Sequence, residues 1–308
     1  MRILNYQRMS TEDGPGLRTT LFVKGCPLKC RWCHNPESIS FKPLIEWIAV
    51  RCIGCMTCVK TCPRNVLSAT ENGIIVNRDV CIACGKCIDE CPTGALELKG
   101  REVSVDDAFK ELVKDAAYFG KDGGVTLSGG EILSQAKEAA ELLKKLKERG
   151  IGTAVDTCGL TTKENIDLVL PYADVFLWDM KLIDPEEHEK FTGVRNDVIL
   201  ENFNYLAEKA KGTDKRIWIR TPIIPGATDT DENIRGIAKF IKGKYERWEM
   251  CAFNNLCRDK YDRLYQDWFY AKTELMTAER MDELVRIAES EGLTEVYRTG
   301  ATRLKKEK

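Results

Sequence analysis

Residues 17–37 read LRTTLFVKGCPLKCRWCHNPE. The first part, rich in β-branched and apolar side chains and closed by Gly25, has the pattern of a buried strand. Three cysteines follow at once, Cys26, Cys30 and Cys33, spaced C-x3-C-x2-C. Thiolate sites for zinc or iron–sulfur centres ordinarily take four protein ligands. A set of three behind a strand implies a centre with one position kept for another molecule, as catalytic zinc keeps one for substrate.

Strand-like runs of the same kind recur down the chain: GVTLSG (124–129), GTAVDT (152–157), VFLWDM (175–180), RIWIRTP (216–222) and EMCAFN (249–254). Between them Ala139, Leu142, Leu143 and Leu146 keep the spacing of a helix face, and Gly150 stands where a helix would stop. Ile234, Ile237, Ala238 and Ile241 repeat the pattern, as do Met281, Leu284, Val285 and Ala288. Strand and helix in turn predict an α/β fold on a parallel sheet, open or closed into a barrel. Polar residues gather where the strands stop: the three cysteines, then Gly129-Gly130-Glu131, Asp156-Thr157, Asp179 with Lys181, Arg220 and Asn254. The C-terminal rim of a β/α barrel is where chemistry collects. Glu131 by itself reads more readily as a carboxylate at a helix start than as a ligand contact.

Eleven of the 14 cysteines lie between Cys26 and Cys91. CIGCMTCVKTCP (52–63) recurs as CIACGKCIDECP (81–92), every cysteine 29 positions on, with Pro63 and Pro92 closing the runs. This is the bacterial ferredoxin pattern C-x2-C-x2-C-x3-C-P written twice, in which the fourth cysteine of each run ligates the other cluster. One [4Fe–4S] cluster is accordingly assigned to Cys52, Cys55, Cys58 and Cys91, and a second to Cys62, Cys81, Cys84 and Cys87. Zinc knuckles lack this doubled run. Cys158, Cys251 and Cys257 read as small apolar residues, and His188 as a solvated helix residue.

Forty-seven basic against 48 acidic residues leave a net charge of −1, which gives no case for a nucleic-acid or anionic-membrane partner. The first residues carry no secretory apolar region, and no run reaches the roughly 18 apolar residues of a spanning helix. A cytoplasmic protein with no membrane contact is expected.

The three-cysteine spacing, with Trp32 before the last cysteine, resembles the radical S-adenosylmethionine (SAM) superfamily. DGPGLR (13–18), CHNPE (33–37), TLSGGE (126–131), DTCG (156–159) and DMK (179–181) narrow the resemblance to the activating enzymes of glycyl radical enzymes. It implies a partial (β/α)6 TIM-like barrel from residues 1–45 and 101–308, with a ferredoxin-like insert at 46–100. It implies SAM on the open iron of the Cys26/Cys30/Cys33 cluster, giving three [4Fe–4S] clusters in all. Gly129, Gly130 and Glu131 match the motif that contacts the SAM amino group, with the carboxylate accepting from the ammonium. Asp156, Thr157, Asp179 and Lys181 match positions around its carboxylate and ribose, where the family can also hold a monovalent cation. Trp32 would lie beside the adenine and His34 near the nucleotide. Asn254 stands where many activases have histidine, and still offers hydrogen bonds to adenine or ribose. Asp13, Gly14, Pro15 and Gly16 match a loop facing the partner's glycine.

The activity so implied is one-electron cleavage of SAM to methionine and a 5′-deoxyadenosyl radical, which takes a hydrogen from a glycine of a partner enzyme. The implied partners are that glycyl radical enzyme and a flavodoxin- or ferredoxin-type electron donor, met by a monomer. Two other readings stay open at this point: a radical SAM enzyme acting on a small molecule or peptide, and a non-catalytic iron–sulfur electron carrier.

Overall fold

The computed structural model describes residues 1–303; residues 304–308, the tail of the expected barrel segment, lie outside them. All six expected strands form, at Arg18–Val23, Gly124–Gly129, Gly152–Thr157, Val175–Asp179, Arg216–Ile223 and Arg247–Ala252. They pair side by side in chain order, all parallel, and Val296–Thr299 adds a seventh parallel strand beyond the sixth. On the other side Arg2–Ser10 pairs antiparallel to Arg18–Val23, and the short Arg101–Glu102 closes that edge. The sheet therefore has three strands more than the periodicity foretold.

Alternation divides its two faces by chemistry. Leu21, Leu127, Val155, Trp178, Ile219 and Met250 face the main core, where they meet the helices. Ala136–Glu148 brings Ala139, Leu142, Leu143 and Leu146 to that core, as its spacing foretold. It ends in a Schellman motif: Ile151 N–H donates to Leu146 O at 3.1 Å and Gly150 N–H to Lys147 O at 2.9 Å, with Gly150 at φ +70°. Asp231–Ile241 and Ala278–Ser290 are the other two expected helices, capped by the hydroxyls of Thr230 and Thr277. In the latter, Met281, Leu284 and Ala288 are buried and Val285 only half-buried. The opposite face carries the polar residues Thr20, Thr126, Asp156, Asp179, Arg220 and Glu249 beside a small apolar cluster of Ala154, Val175, Leu177 and Trp218.

Between the first and second parallel strands, the chain from Leu44 to Lys99 builds a core of its own from Ile45, Val66, Leu67, Ile74, Val76, Leu96 and three cysteines. Leu44–Trp47 and Leu96–Lys99 close it as an antiparallel ladder, Leu44 opposite Lys99. The sequence repeat is also a backbone repeat. Gly54 and Ala83, Met56 and Gly85, and Asn65 and Gly94 are each 29 positions apart, and all six have positive φ. Each pair needs the left-handed region, and one partner of each meets it without glycine. No helix among the described residues is long and apolar enough to cross a membrane.

Candidate functional site

The three-cysteine loop leaves the first parallel strand at the C-terminal rim and is pinned along its length. Lys29 N–H donates to Thr192 O (2.7 Å) and Arg31 N–H to Phe191 O (3.0 Å). The Trp268 indole donates to Arg31 O at 2.9 Å, and the Tyr261 hydroxyl to Cys33 O at 2.8 Å. Cys26, Cys30 and Cys33 line one cavity of about 770 Å³. Burial pushes the Cys30 thiol up to about 12 and the Cys33 thiol further, whereas the Cys158 thiol, donating to Cys26, holds Cys26 below its usual range.

Gly129 and Gly130 line the same cavity with bare backbone. Gly129 has φ +124°, and a Cβ there would fall 2.1 Å from Val23 N; at Gly130 it would fall 2.3 Å from Gly25 O. Only glycine allows the two strand ends this approach. Glu131 is not among the residues that line the cavity. It is 1% exposed, and its carboxylate accepts from Leu133 N (2.8 Å), Thr157 Oγ1 (2.7 Å) and Cys158 N (2.8 Å). Oε1 takes two of these donors and Oε2 one, so the carboxylate ties the second strand end to the third. Thr157 is taken up in the same bond and is likewise buried.

Trp32 lines the cavity with its ring packed at a tilt on Phe191, centroids 6.0 Å apart. Asp179 and Lys181 line it as an ion pair of 2.5 Å. Burial opposes the Lys181 charge, but Asp179, Cys30 and Cys158 outweigh it and hold the ammonium above its usual range. Asn254 stands at the mouth with its Oδ1 accepting from Leu256 N (3.2 Å) and its backbone oxygen 3.0 Å from His34 Nε2.

Asp156 sits below the cavity on the polar face, taking a hydrogen bond from Ser128 Oγ (2.6 Å) with Arg220 at 3.8 Å. Burial raises its carboxyl to about 7 although Arg220 pulls the other way. The 13–16 loop folds against the same face. Asp13 Oδ2 accepts from Ser10 Oγ (2.6 Å) and Thr20 Oγ1 (2.7 Å), and its carbonyl from Thr126 Oγ1 (2.6 Å). Asp13, Gly14, Pro15 and Gly16 do not themselves line the cavity; their neighbour Glu12 does, its carbonyl accepting from Arg220 at 3.2 Å.

Three sequence readings are corrected. Cys158 and Cys251 are not core filler but line the cavity; the alternation that puts Glu249 on the polar face already put Cys251 there. His188 is buried, 2% exposed, with Nδ1 held by Val194 O at 2.6 Å, and burial lowers its pKa to about 4. Thr299, the last residue of the unforeseen seventh strand, and Gly300 and Ala301 after it also line the cavity.

Within Leu44–Lys99 two small cavities divide the eight thiols. Cys62, Cys81, Cys84 and Cys87 line one; Cys52, Cys55, Cys58 and Cys91 line the other. Backbone donors aim at the sulfurs at repeat-equivalent places, Val66 N–H to Cys62 (3.5 Å) and Ala95 N–H to Cys91 (3.2 Å). All 14 cysteines are free thiols. Among the described residues no three His, Cys, Asp or Glu side chains converge where a single metal ion could sit.

The Radical SAM superfamily model matches residues 20–241. The chain is 39% identical over 293 residues to the trans-4-hydroxy-L-proline dehydratase activating enzyme of Clostridioides difficile, spanning 94% of this chain and 96% of that protein. It is 36% identical over 302 residues to the indoleacetate decarboxylase activating enzyme of Tractidigestivibacter scatoligenes, 94% and 95% of the two. Among solved structures, a radical SAM methyltransferase from Sphaerobacter thermophilus shares the fold at a TM-score of 0.56, with 13% identity over 97% of this chain and 77% of that one.

Proposed function

The chain belongs to the radical SAM superfamily, and from that premise we propose that it is the activating enzyme of a glycyl radical enzyme. Its relatives carry such names across nearly the full length. The observation that carries the reading is the meeting of three rim thiols with the bare Gly129-Gly130 backbone on one cavity. When bound, a [4Fe–4S] cluster with one open iron and SAM supply one-electron cleavage of a sulfonium and hydrogen abstraction from the client's glycine.

The donor set fits. Cys26, Cys30 and Cys33 would hold the cluster, and Gly129 and Gly130 would let the nucleotide's amino end approach the backbone. Lys181 and Asp179 place a fixed dipole at the rim for its polar end, and Trp32 gives an apolar wall. Arg220 holds the floor in one arrangement by tying Asp156, Glu249 and the Glu12 carbonyl together. Asp156 and Asp179 would be the carboxylates for a monovalent cation. The polar face would be the inside of a partial barrel, and Asp13–Gly16 its floor beneath the client's glycine. The segment at 46–100 would be a ferredoxin-like domain with two further [4Fe–4S] clusters, one per four-thiol cavity, making three. The donor would be of the flavodoxin or ferredoxin type, and the protein a cytoplasmic monomer that meets its client transiently.

The test is anaerobic incubation of the reconstituted chain with SAM, reductant and glycyl radical enzymes of the dehydratase, decarboxylase and lyase classes. A glycine-centred EPR doublet is expected on one of them. Replacing Cys26, Cys30 and Cys33 by Ala abolishes the doublet and 5′-deoxyadenosine formation together. Deoxyadenosine made without any doublet across the panel would transfer the protein to small-molecule or peptide chemistry, and no SAM binding would leave only an electron carrier.

A further inference from the structure

One stretch of chain touches both the three-cysteine loop and the cysteine-rich segment. Tyr261 donates to the Cys33 carbonyl and stacks on Trp268, centroids 4.9 Å apart and planes at 9°, while Trp268 donates to Arg31. Lys260 adds bonds to Asn35 (2.6 Å) and Glu37 (2.9 Å). One turn on, the Tyr265 hydroxyl donates to Ile74 O at 2.6 Å. The Arg78 guanidinium lies 4.8 Å over the Tyr265 ring and donates to Leu264 O (2.9 Å), Arg263 O (2.7 Å) and Ile45 O (3.4 Å). Arg78 is three residues before Cys81 in the sequence, and Cys81 N–H donates to Asn77 O at 3.1 Å.

The two four-thiol cavities are not equivalent in this frame. The ladder Leu44–Trp47 with Leu96–Lys99 is rooted on the main sheet, where Gly100 packs on the Lys24 side chain. Ile45, near the root, lines the cavity of Cys62, Cys81, Cys84 and Cys87. Trp47 and Leu96, at the far end of the ladder, line the other. Two residues along a strand is about 7 Å, so the Cys62 set is the inner one.

We propose that electrons reach the three-cysteine site from the inner set, through the turn Tyr261–Tyr265 clamped by Arg78, and that the set of Cys52, Cys55, Cys58 and Cys91 is the outer station. This rests on the reading that each cysteine set holds an iron–sulfur group. In the step, one electron leaves the inner group and one enters the group on Cys26, Cys30 and Cys33. No proton moves and no bond forms or breaks. The electron is replaced through the outer group by a low-potential one-electron carrier protein. Tyr261, Tyr265 and Arg78 are positioning residues: they hold protein atoms in continuous contact where a looser junction would admit water.

Two arms test it on the anaerobically reconstituted full chain. In the first, the spin relaxation of the reduced SAM-binding cluster is measured by EPR in Cys55→Ser and in Cys84→Ser. Relaxation enhancement from a neighbouring paramagnet is expected to survive Cys55→Ser and to vanish in Cys84→Ser; the reverse order overturns the proposal. The second arm keeps every ligand, using Arg78→Met and Tyr265→Phe, and follows by freeze-quench EPR the arrival of an electron at the SAM-binding cluster after mixing with reduced flavodoxin. A severalfold slowing at unchanged iron per chain is expected, and an unchanged rate in both variants overturns the route. Iron content of the wild-type chain separates the layers: eight irons missing from the segment would defeat the underlying reading itself.

Discussion

The rim site gathers its side chains from Glu12 to Ala301, delivered by one long loop and several separate strand ends, whereas the segment Leu44–Lys99 takes eight thiols from two short runs of one repeat. At the rim, the large core behind the sheet holds the geometry whether or not anything is bound. In the segment, Cys58, Cys62 and Cys87 are themselves three of the nine core residues. Met56, Asn65 and Ala83 sit there at positive φ without glycine, at a cost of about 1–3 kcal/mol each, which persists only where the surroundings over-determine it. On the proposed reading, the contrast is between a fold that would present a metal site and a fold that a metal site would complete.

The largest effect that follows is on iron removal. Stripping iron with an anaerobic chelator should abolish hydrogen-exchange protection across Leu44–Lys99 while leaving the Gly152–Thr157 and Val175–Asp179 strands protected. Equal loss in both regions would erase the distinction. A smaller effect belongs to the main fold alone. His188 has its folded pKa near 4 against 6.5 unfolded, so between those values the unfolded chain takes up a proton that the folded chain refuses. Stability is complete above about pH 6.5 and declines as pH falls towards 4, by about 2–3 kcal/mol over the full window. Thermal melts at pH 7, 6 and 5 should show the slope, and His188→Gln should flatten it. Smallest is Glu131→Gln, whose amide must aim its NH2 at a group that now donates to the carboxylate. It should cost about 1–2 kcal/mol and leave nucleotide affinity nearly intact. A large affinity loss at unchanged melting temperature would return Glu131 to the role of ammonium ligand.

What could be read from the chain alone follows the same division. The doubled run groups the eight thiols as the two cavities do: three of each set are close in sequence, and the fourth follows the exchange between runs that the ferredoxin pattern carries. The six strands were legible from apolar runs, but Val296–Thr299 is short and reads VYRT, and Arg2–Ser10 buries little beyond Ile3 and Ser10. Neither has a pattern to find. Cys26, Cys30, Cys33, Trp32, Gly129, Gly130, Asp179, Lys181 and Asn254, singled out from the motifs, line one cavity. Glu131 and Thr157 are not among the lining residues: Thr157 Oγ1 donates to the Glu131 carboxylate, a pairing between neighbouring strand ends that no spacing within GGE or DTCG encodes. His188, among Glu186, Glu187, Glu189 and Lys190, looked solvated, yet its ring is buried and bonds Val194 O just past the end of its own helix, which the run of charges around it hides.

The most direct test of a three-thiol site with a vacant corner is hyperfine spectroscopy of the reduced chain with SAM carrying 15N in its amino group and 17O in its carboxylate. Coupling of both labels to the cluster on Cys26, Cys30 and Cys33 is the result expected. If SAM binds and neither label couples, the nucleotide is not held on the iron, and the account of this cavity is wrong.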